Sequence, residues 1–209
     1  MKIIEPSFKI ENDIDGDSII KLIERAGRTA YKSEDRITID SAKQFVRKII
    51  ESGHLSVIEH ISITVRVICD RGVSHEIVRH RLASYTQEST RYCNYAKGKF
   101  GNELTVIKPF FWDLAKDEDK KKYDIWLKTI DFIEKSYIEM INIGVSPQEA
   151  RSILPNSLKT EIVMTMNLRE WRHFFELRTS KAAHPQMKEI ATPILNEFKT
   201  KIPIIFDDL

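Results

Sequence analysis

The chain has 209 residues, 42% of them apolar and 31% charged, with 33 basic against 31 acidic side chains and a formal charge of +2. That is enough apolar material for the core of one domain spanning residues 1–209. The near balance of charge argues against a general nucleic-acid binder, which concentrates Lys and Arg. The two cysteines, Cys69 and Cys93, form no metal or redox spacing and fit a reducing, cytoplasmic setting. Met1 to Asn12 lacks the apolar run of a signal peptide, and no stretch approaches the length of a membrane span.

In chain order, Lys2 to Ile10 reads as an edge strand. Asp17 is positioned to cap a helix carrying Ile19, Ile20, Leu22 and Ile23. Ala42, Phe45, Val46, Ile49 and Ile50 recur at helical spacing, and Gly53 sits where that helix ends. Ile61, Ile63, Val65 and Val67 alternate with Ser62, Thr64 and Arg66, the pattern of a half-buried strand. Gly72 breaks it, and Ser74 is placed to cap a short helix through Val78. The stretch from Phe100 to Trp112 reads as irregular. Asp117 opens the longest helix, with an apolar face of Tyr123, Trp126, Leu127, Ile130, Ile133, Tyr137, Met140 and Ile141, and Gly144 ends it. Ser146-Pro147-Gln148-Glu149 is a capping-box start with Pro at the first helical position. That helix carries Arg151 and stops before Pro155. Thr160 to Met166 alternates as a second strand. Asn167 caps a helix whose Trp171, Phe174, Phe175 and Leu177 face the core, and His184-Pro185 opens the last helix through Phe198. This order is not a regular βαβ alternation. It predicts an α+β fold, a small, mainly antiparallel sheet flanked by helices, one of them long.

Chemistry concentrates between Arg79 and Tyr92. Arg79-His80-Arg81 begins a run that also holds Ser84, Gln87, Ser89 and Arg91. Arginine offers a planar fork of donors that fits phosphate oxygens two at a time. The cluster predicts an anion pocket for phosphorylated ligands, against the competing reading of a solvated basic turn. A second cluster follows at Asn167, Arg169, His173 and Arg178. Asn167 and Arg169 stand where free helix N–H groups also favour anions. Positions 171, 174, 175 and 178 share a helix face. An arginine on an aromatic stripe implies either a ligand in a cavity or an internal pair with Glu161, Glu170 or Glu176. No Gly-x-Gly occurs, so a flavin or nicotinamide would be held by side chains rather than a Gly-rich helix start. The six histidines show no i, i+4 metal pairing, and no metal is expected.

Arg79-His80-Arg81, seven residues from Leu82 to Glu88, then Ser89, with Arg91-Tyr92 behind, resembles the signature of the flavin-dependent thymidylate synthases. The resemblance implies reductive methylation of dUMP to dTMP by a methyltransferase. The one-carbon unit comes from 5,10-methylenetetrahydrofolate, and NADPH reduces FAD, which carries the unit and supplies the hydride. It assigns Ser56, Arg79, His80, Arg81, Gln87, Asn167, Leu168, Arg169 and His173 to FAD. For dUMP it assigns Glu76, Ile77, Val78, Arg79, Gln87, Glu88, Ser89, Thr90, Arg91, Arg151 and Arg178, with Arg91 and Arg151 on the phosphate.

The matching arginine, Arg178, contacts the uracil ring in the family and favours its form ionised at N3. A permanently charged guanidinium stabilises negative charge spread over N3, C4 and O4, and density then reaches C5, the carbon to be methylated. The ordinary thymidylate synthase activates the ring by cysteine attack instead. Here Cys69 and Cys93 read as packing residues, so the implied route uses no thiol nucleophile. The family also implies a homotetramer with sites shared between subunits. The chain departs from the usual pattern at Glu76, Gln87 and His173, where family members often carry Gln, Glu and Asn.

Overall fold

A computed structural model describes all residues of 1–209 except Lys99. The strands are β1 (Lys2–Ile4), β2 (Ser7–Ile10), β3 (Ser62–Asp70), β4 (Ala83–Gln87), β5 (Thr105–Ile107) and β6 (Lys159–Asn167). The helices are α1 (Gly16–Thr29), α2 (Ser41–Glu51), α3 (Arg71–Ile77), α4 (Asp117–Asn142), α5 (Pro147–Ala150), α6 (Leu168–Arg178) and α7 (Pro185–Lys201). β1 pairs in parallel with β5, Ile3 opposite Val106, while a four-stranded sheet has the order β2-β3-β6-β4. The Leu168 N–H bonds the Ile61 carbonyl and the Thr64 hydroxyl meets that of Thr165. Numbers rise along one strand as they fall along the other, so β3 and β6 are antiparallel. The fold is α+β with a small antiparallel sheet.

Contacts group the chain into two compact units. One comprises residues 1–7, 67–78 and 86–162, the other 8–66, 79–85 and 163–209. The first has a core of Tyr95, Leu104, Tyr137, Ile141, Ala150 and Leu158. Only the second half of α4 is buried there, through Ile130, Glu134, Tyr137 and Ile141, while Tyr123, Trp126 and Leu127 are half-buried. Glu134 is an acid in that core because it receives the Met1 amino group at 2.9 Å and the Leu104 N–H at 2.7 Å. The second unit packs Trp171, Phe174, Phe175, Phe198 and Phe206, all fully buried, in edge and stacked contacts of 5.0–5.7 Å. The Trp171 indole N–H reaches the Ile63 carbonyl at 3.1 Å and ties α6 to β3. At Gly27 a Cβ would lie 2.7 Å from the Phe45 ring, so α1 and α2 approach closely only because that residue is glycine.

Several local expectations are corrected. Lys2 to Ile10 is two strands, β1 and β2, in different sheets, with Pro6 interrupting the ladder. α1 is capped by Asp15, whose carboxylate accepts from the Asp17 and Ser18 N–H groups, and Asp17 lies inside the first turn. α3 is capped by Asp70, which accepts from Val73 N–H at 2.7 Å, and Ser74 is internal. The nominally irregular stretch after Phe100 contains β5, too short to show alternation. Leu177 is 48% exposed, off the buried stripe of α6. Within the Arg79–Tyr92 stretch, for which a solvated basic turn was the competing reading, Ala83–Gln87 forms strand β4.

Candidate functional site

In the second unit, α6 supplies most of one cavity. Asn167 caps the helix, its side-chain oxygen accepting from Glu170 N–H at 2.9 Å. A cavity of about 690 Å³ opens over this first turn, lined by Leu55, Glu59, Leu82, Asn167, Arg169, Glu170, Arg172, His173 and Glu176. Three expected flavin residues, Asn167, Arg169 and His173, share that wall. Arg169 is exposed and bonds the Glu59 carboxylate at 2.6 Å. Arg172 was not anticipated. It is buried, holds the Asp208 carboxylate with two N–H groups at 2.7 Å and donates to the Ile205 carbonyl. Its Nε–H is buried without a partner among the described residues. Leu168 is fully buried, with its N–H spent on Ile61. Ser56 is exposed on the 3-10 turn Leu55–His60 and is not part of this wall.

Arg79 and Arg81 are exposed and flank a His80 that is only 4% exposed. The His80 Nε2 accepts from Arg178 Nε–H at 3.0 Å and Nδ1 lies 3.2 Å from the Glu170 carboxylate. The Tyr85 hydroxyl donates to the His80 carbonyl at 2.7 Å. Burial first, then the charges of Arg178 and His173, pull the His80 pKa down to about 4, so the ring is neutral at pH 7. Burial raises the Glu170 carboxyl above its ordinary value, with His173 opposing. His80, Glu170 and His173 also bring three ligand atoms within 4.8 Å of one another. Of that trio, His80 spends one imidazole nitrogen on Arg178 and the other on Glu170.

The first unit has its own cavity of about 600 Å³, lined by Arg71, His75, Thr90, Gln148, Glu149, Arg151, Ser152, Leu154, Pro155 and Asn156. Arg151, exposed on the 3-10 turn after α5, and Thr90, buried, are expected nucleotide residues that meet here. Arg91 reaches the same wall by bonding Gln148 Oε1 at 3.1 Å. The Glu149 carboxylate accepts from the Ser146 N–H and hydroxyl, and two guanidiniums, Arg71 and Arg151, outnumber it on the wall. Sequence reasoning passed over Arg71 and His75. Their signal was spacing: positions 71 and 75 are one helical turn apart on α3.

Of the other expected ligands, Gln87 and Glu88 turn inward. The Gln87 amide donates to Ser74 at 2.9 Å and Thr160 at 3.1 Å. Glu88 accepts from Tyr95 O–H at 2.9 Å and Lys159 at 2.6 Å. The Ser89 hydroxyl accepts from Arg91 N–H at 3.3 Å. Glu76 is half-buried, Ile77 buried and Val78 exposed along the end of α3.

The chain is similar to proteins of one family. Residues 16–204 match the thymidylate synthase complementing protein family. The flavin-dependent thymidylate synthase of Pyrococcus furiosus is 37% identical over 177 residues, covering 84% of this chain and 70% of that protein. The one from Corynebacterium diphtheriae is 32% identical over 205 residues, covering 90% and 77%. In fold, a UMP/dUMP methylase PolB from Streptomyces cacaoi, solved bound with 5-Br dUMP, superposes with a TM-score of 0.81 at 21% identity over 99% of this chain and 96% of that one. From the family match and the identity to these relatives, the chain belongs to the flavin-dependent thymidylate synthase family of methyl-transferring enzymes.

Proposed function

We propose that the chain methylates dUMP to dTMP reductively, with 5,10-methylenetetrahydrofolate as one-carbon donor, NADPH as reductant and FAD as cofactor. The observation that carries this reading is the Arg178 guanidinium bonded to the central histidine of the Arg79-His80-Arg81 signature. The cavity over α6 fits a flavin dinucleotide in size and chemistry. It offers apolar Leu55 and Leu82, a helix start with Arg169 for phosphate oxygens, and beside them the orphaned Arg172 N–H. Asn167, Arg169 and His173 would hold the group there, while Ser56, Arg79, His80, Arg81, Gln87 and Leu168, the rest of the set the resemblance implies, do not line this cavity. When bound, FAD supplies the hydride and carries the one-carbon unit.

The remaining steps belong to the chain's own side chains. Arg151, with Arg91 held by Gln148, binds the nucleotide phosphate as a charge-assisted pair. The stretch Glu76–Arg79 and Gln87–Arg91 frames the nucleotide. Arg178 stabilises the pyrimidine ionised at N3 and so raises electron density at C5. A thiol nucleophile has no part. Cys69 is 1% exposed and burial pushes its thiol far up, while Cys93 is half-buried in the first unit's core. The same reading makes the protein a cytoplasmic homotetramer with sites shared between subunits. Among the described residues no helix is long and apolar enough to cross a membrane.

The test is direct. Purified protein should be yellow and form dTMP from dUMP only with NADPH and methylenetetrahydrofolate both present. Arg178→Ala should abolish turnover while retaining FAD absorbance. Full activity in that variant would remove Arg178 from the mechanism.

A further inference from the structure

The mechanism just given uses Arg178 but leaves Glu170 without a task, although it is a buried acid in the wall of a cavity. Glu170, Phe174 and Arg178 stand at i, i+4 and i+8 along α6, one stripe of the helix. The His80 ring lies along that stripe and touches all three. It bonds Glu170 at one nitrogen and Arg178 at the other, and meets the Phe174 ring edge-on at 4.9 Å. His173 faces it at 5.6 Å, also edge-on. From the strand side, the Tyr85 hydroxyl holds the His80 carbonyl. The ring is therefore held by four residues of α6, and its backbone carbonyl by β4.

The protonation pattern follows from valence. Arginine has only donors, so Nε2 of His80 must present its lone pair to Arg178. The single proton of the neutral ring then sits on Nδ1 and points at Glu170, which accepts it. The opposite tautomer would set N–H against N–H at Arg178 and leave Nδ1 and the carboxylate as two facing acceptors. A protonated ring would likewise place a second cation and a donor against the guanidinium. Glu170 thus selects the ring form in which Nε2 can accept.

We propose that Glu170 is a positioning residue which, through the Nδ1–H tautomer of His80, fixes the plane of the Arg178 guanidinium. The proposal rests on the reading of Arg178 as the group that meets the pyrimidine. Anchoring Nε sets the direction of the rest of the planar fork, and transition-state stabilisation depends on that direction rather than on charge alone. The family resemblance assigns nothing to Glu170. The contact that gives it a role is made in the folded chain by a residue 90 positions away.

Two measurements test it. The first is the imidazole nitrogen spectrum of ¹⁵N-histidine-labelled protein, with His80 identified by substitution. Wild type should show Nδ1 protonated and Nε2 unprotonated at pH 7, and Glu170→Ala should shift His80 towards a mixture. The second is steady-state kinetics of the flavin-loaded enzyme. Glu170→Ala should lower kcat on the order of tenfold with a much smaller change in KM for dUMP. Glu170→Gln, whose amide oxygen still accepts from Nδ1, should recover most of that loss. Glu170→Ala should add little on top of Arg178→Ala, because the two act as one unit. An Nε2–H tautomer in wild type, or a Glu170→Ala enzyme as fast as wild type, overturns the proposal. Wild-type protein with the expected tautomer but no dTMP formation would instead overturn the reading of the reaction on which it rests.

Discussion

Acidification from pH 7 to pH 5 should cost this protein about 2 kcal/mol through His80 alone. The unfolded imidazole titrates near 6.5 and the folded one near 4, held down by burial and by Arg178. Below pH 6.5 the unfolded chain takes up a proton that the folded site refuses, so stability present above 6.5 is lost as pH falls towards 4. At pH 5 the unfolded ring is about 97% protonated and the folded ring about 9%, a difference of about 2 kcal/mol, saturating near 3 kcal/mol below pH 4. Glu170 works the other way. Its raised folded pKa lets the native state take a proton first, which adds stability as pH falls through that folded pKa. The clean comparison is wild type against His80→Gln, which keeps a hydrogen-bonding side chain that does not titrate. Urea midpoints at pH 7, 6 and 5 should fall more steeply for wild type, opening a gap of about 2 kcal/mol by pH 5 at constant m. Parallel curves, agreeing within about 0.5 kcal/mol across that range, would refute the buried neutral histidine.

Replacing both Cys69 and Cys93 with Ala should leave dTMP formation measurable at more than about a tenth of wild type, allowing for the small cavities created; loss of all turnover in folded protein would reinstate a thiol step. Arg151→Ala should raise KM for dUMP about 10- to 100-fold, the loss of one charge-assisted contact worth about 1.5–3 kcal/mol, with flavin binding unchanged by absorbance titration. Trp171→Ala removes the centre of the aromatic core and the indole bond to Ile63, and should cost about 3–5 kcal/mol in a denaturant titration.

The local signals that carried the sequence reading were those of short range. Alternation from Ile61 to Val67 and from Thr160 to Met166 marked β3 and β6, because a strand buried on one face repeats every second residue. The Ser146–Glu149 box and Gly144, at φ +97°, marked real helix boundaries, since cap chemistry is settled within four residues. β4 and β5 escaped, and β1 and β2 were read as one strand, because three to five residues hold too few alternations and a strand's partner lies far along the chain. For the site, Asn167, Arg169 and His173 were legible as a polar helix start. Arg172 was not, since nothing in its immediate neighbours distinguishes a cavity wall from a solvated face, and Arg71 offered only its one-turn spacing from His75.

What the sequence determined by itself was the inventory: an Arg-His-Arg signature followed at a set distance by Ser89 and Arg91, and an arginine on an aromatic helix stripe. Tertiary structure decided the protonation of that inventory. Only the return of residue 80 onto the face of α6 puts an imidazole between a carboxylate and a guanidinium. A histidine's tautomer is set by the partners of its two nitrogens, and those partners are neighbours in space, not in the chain.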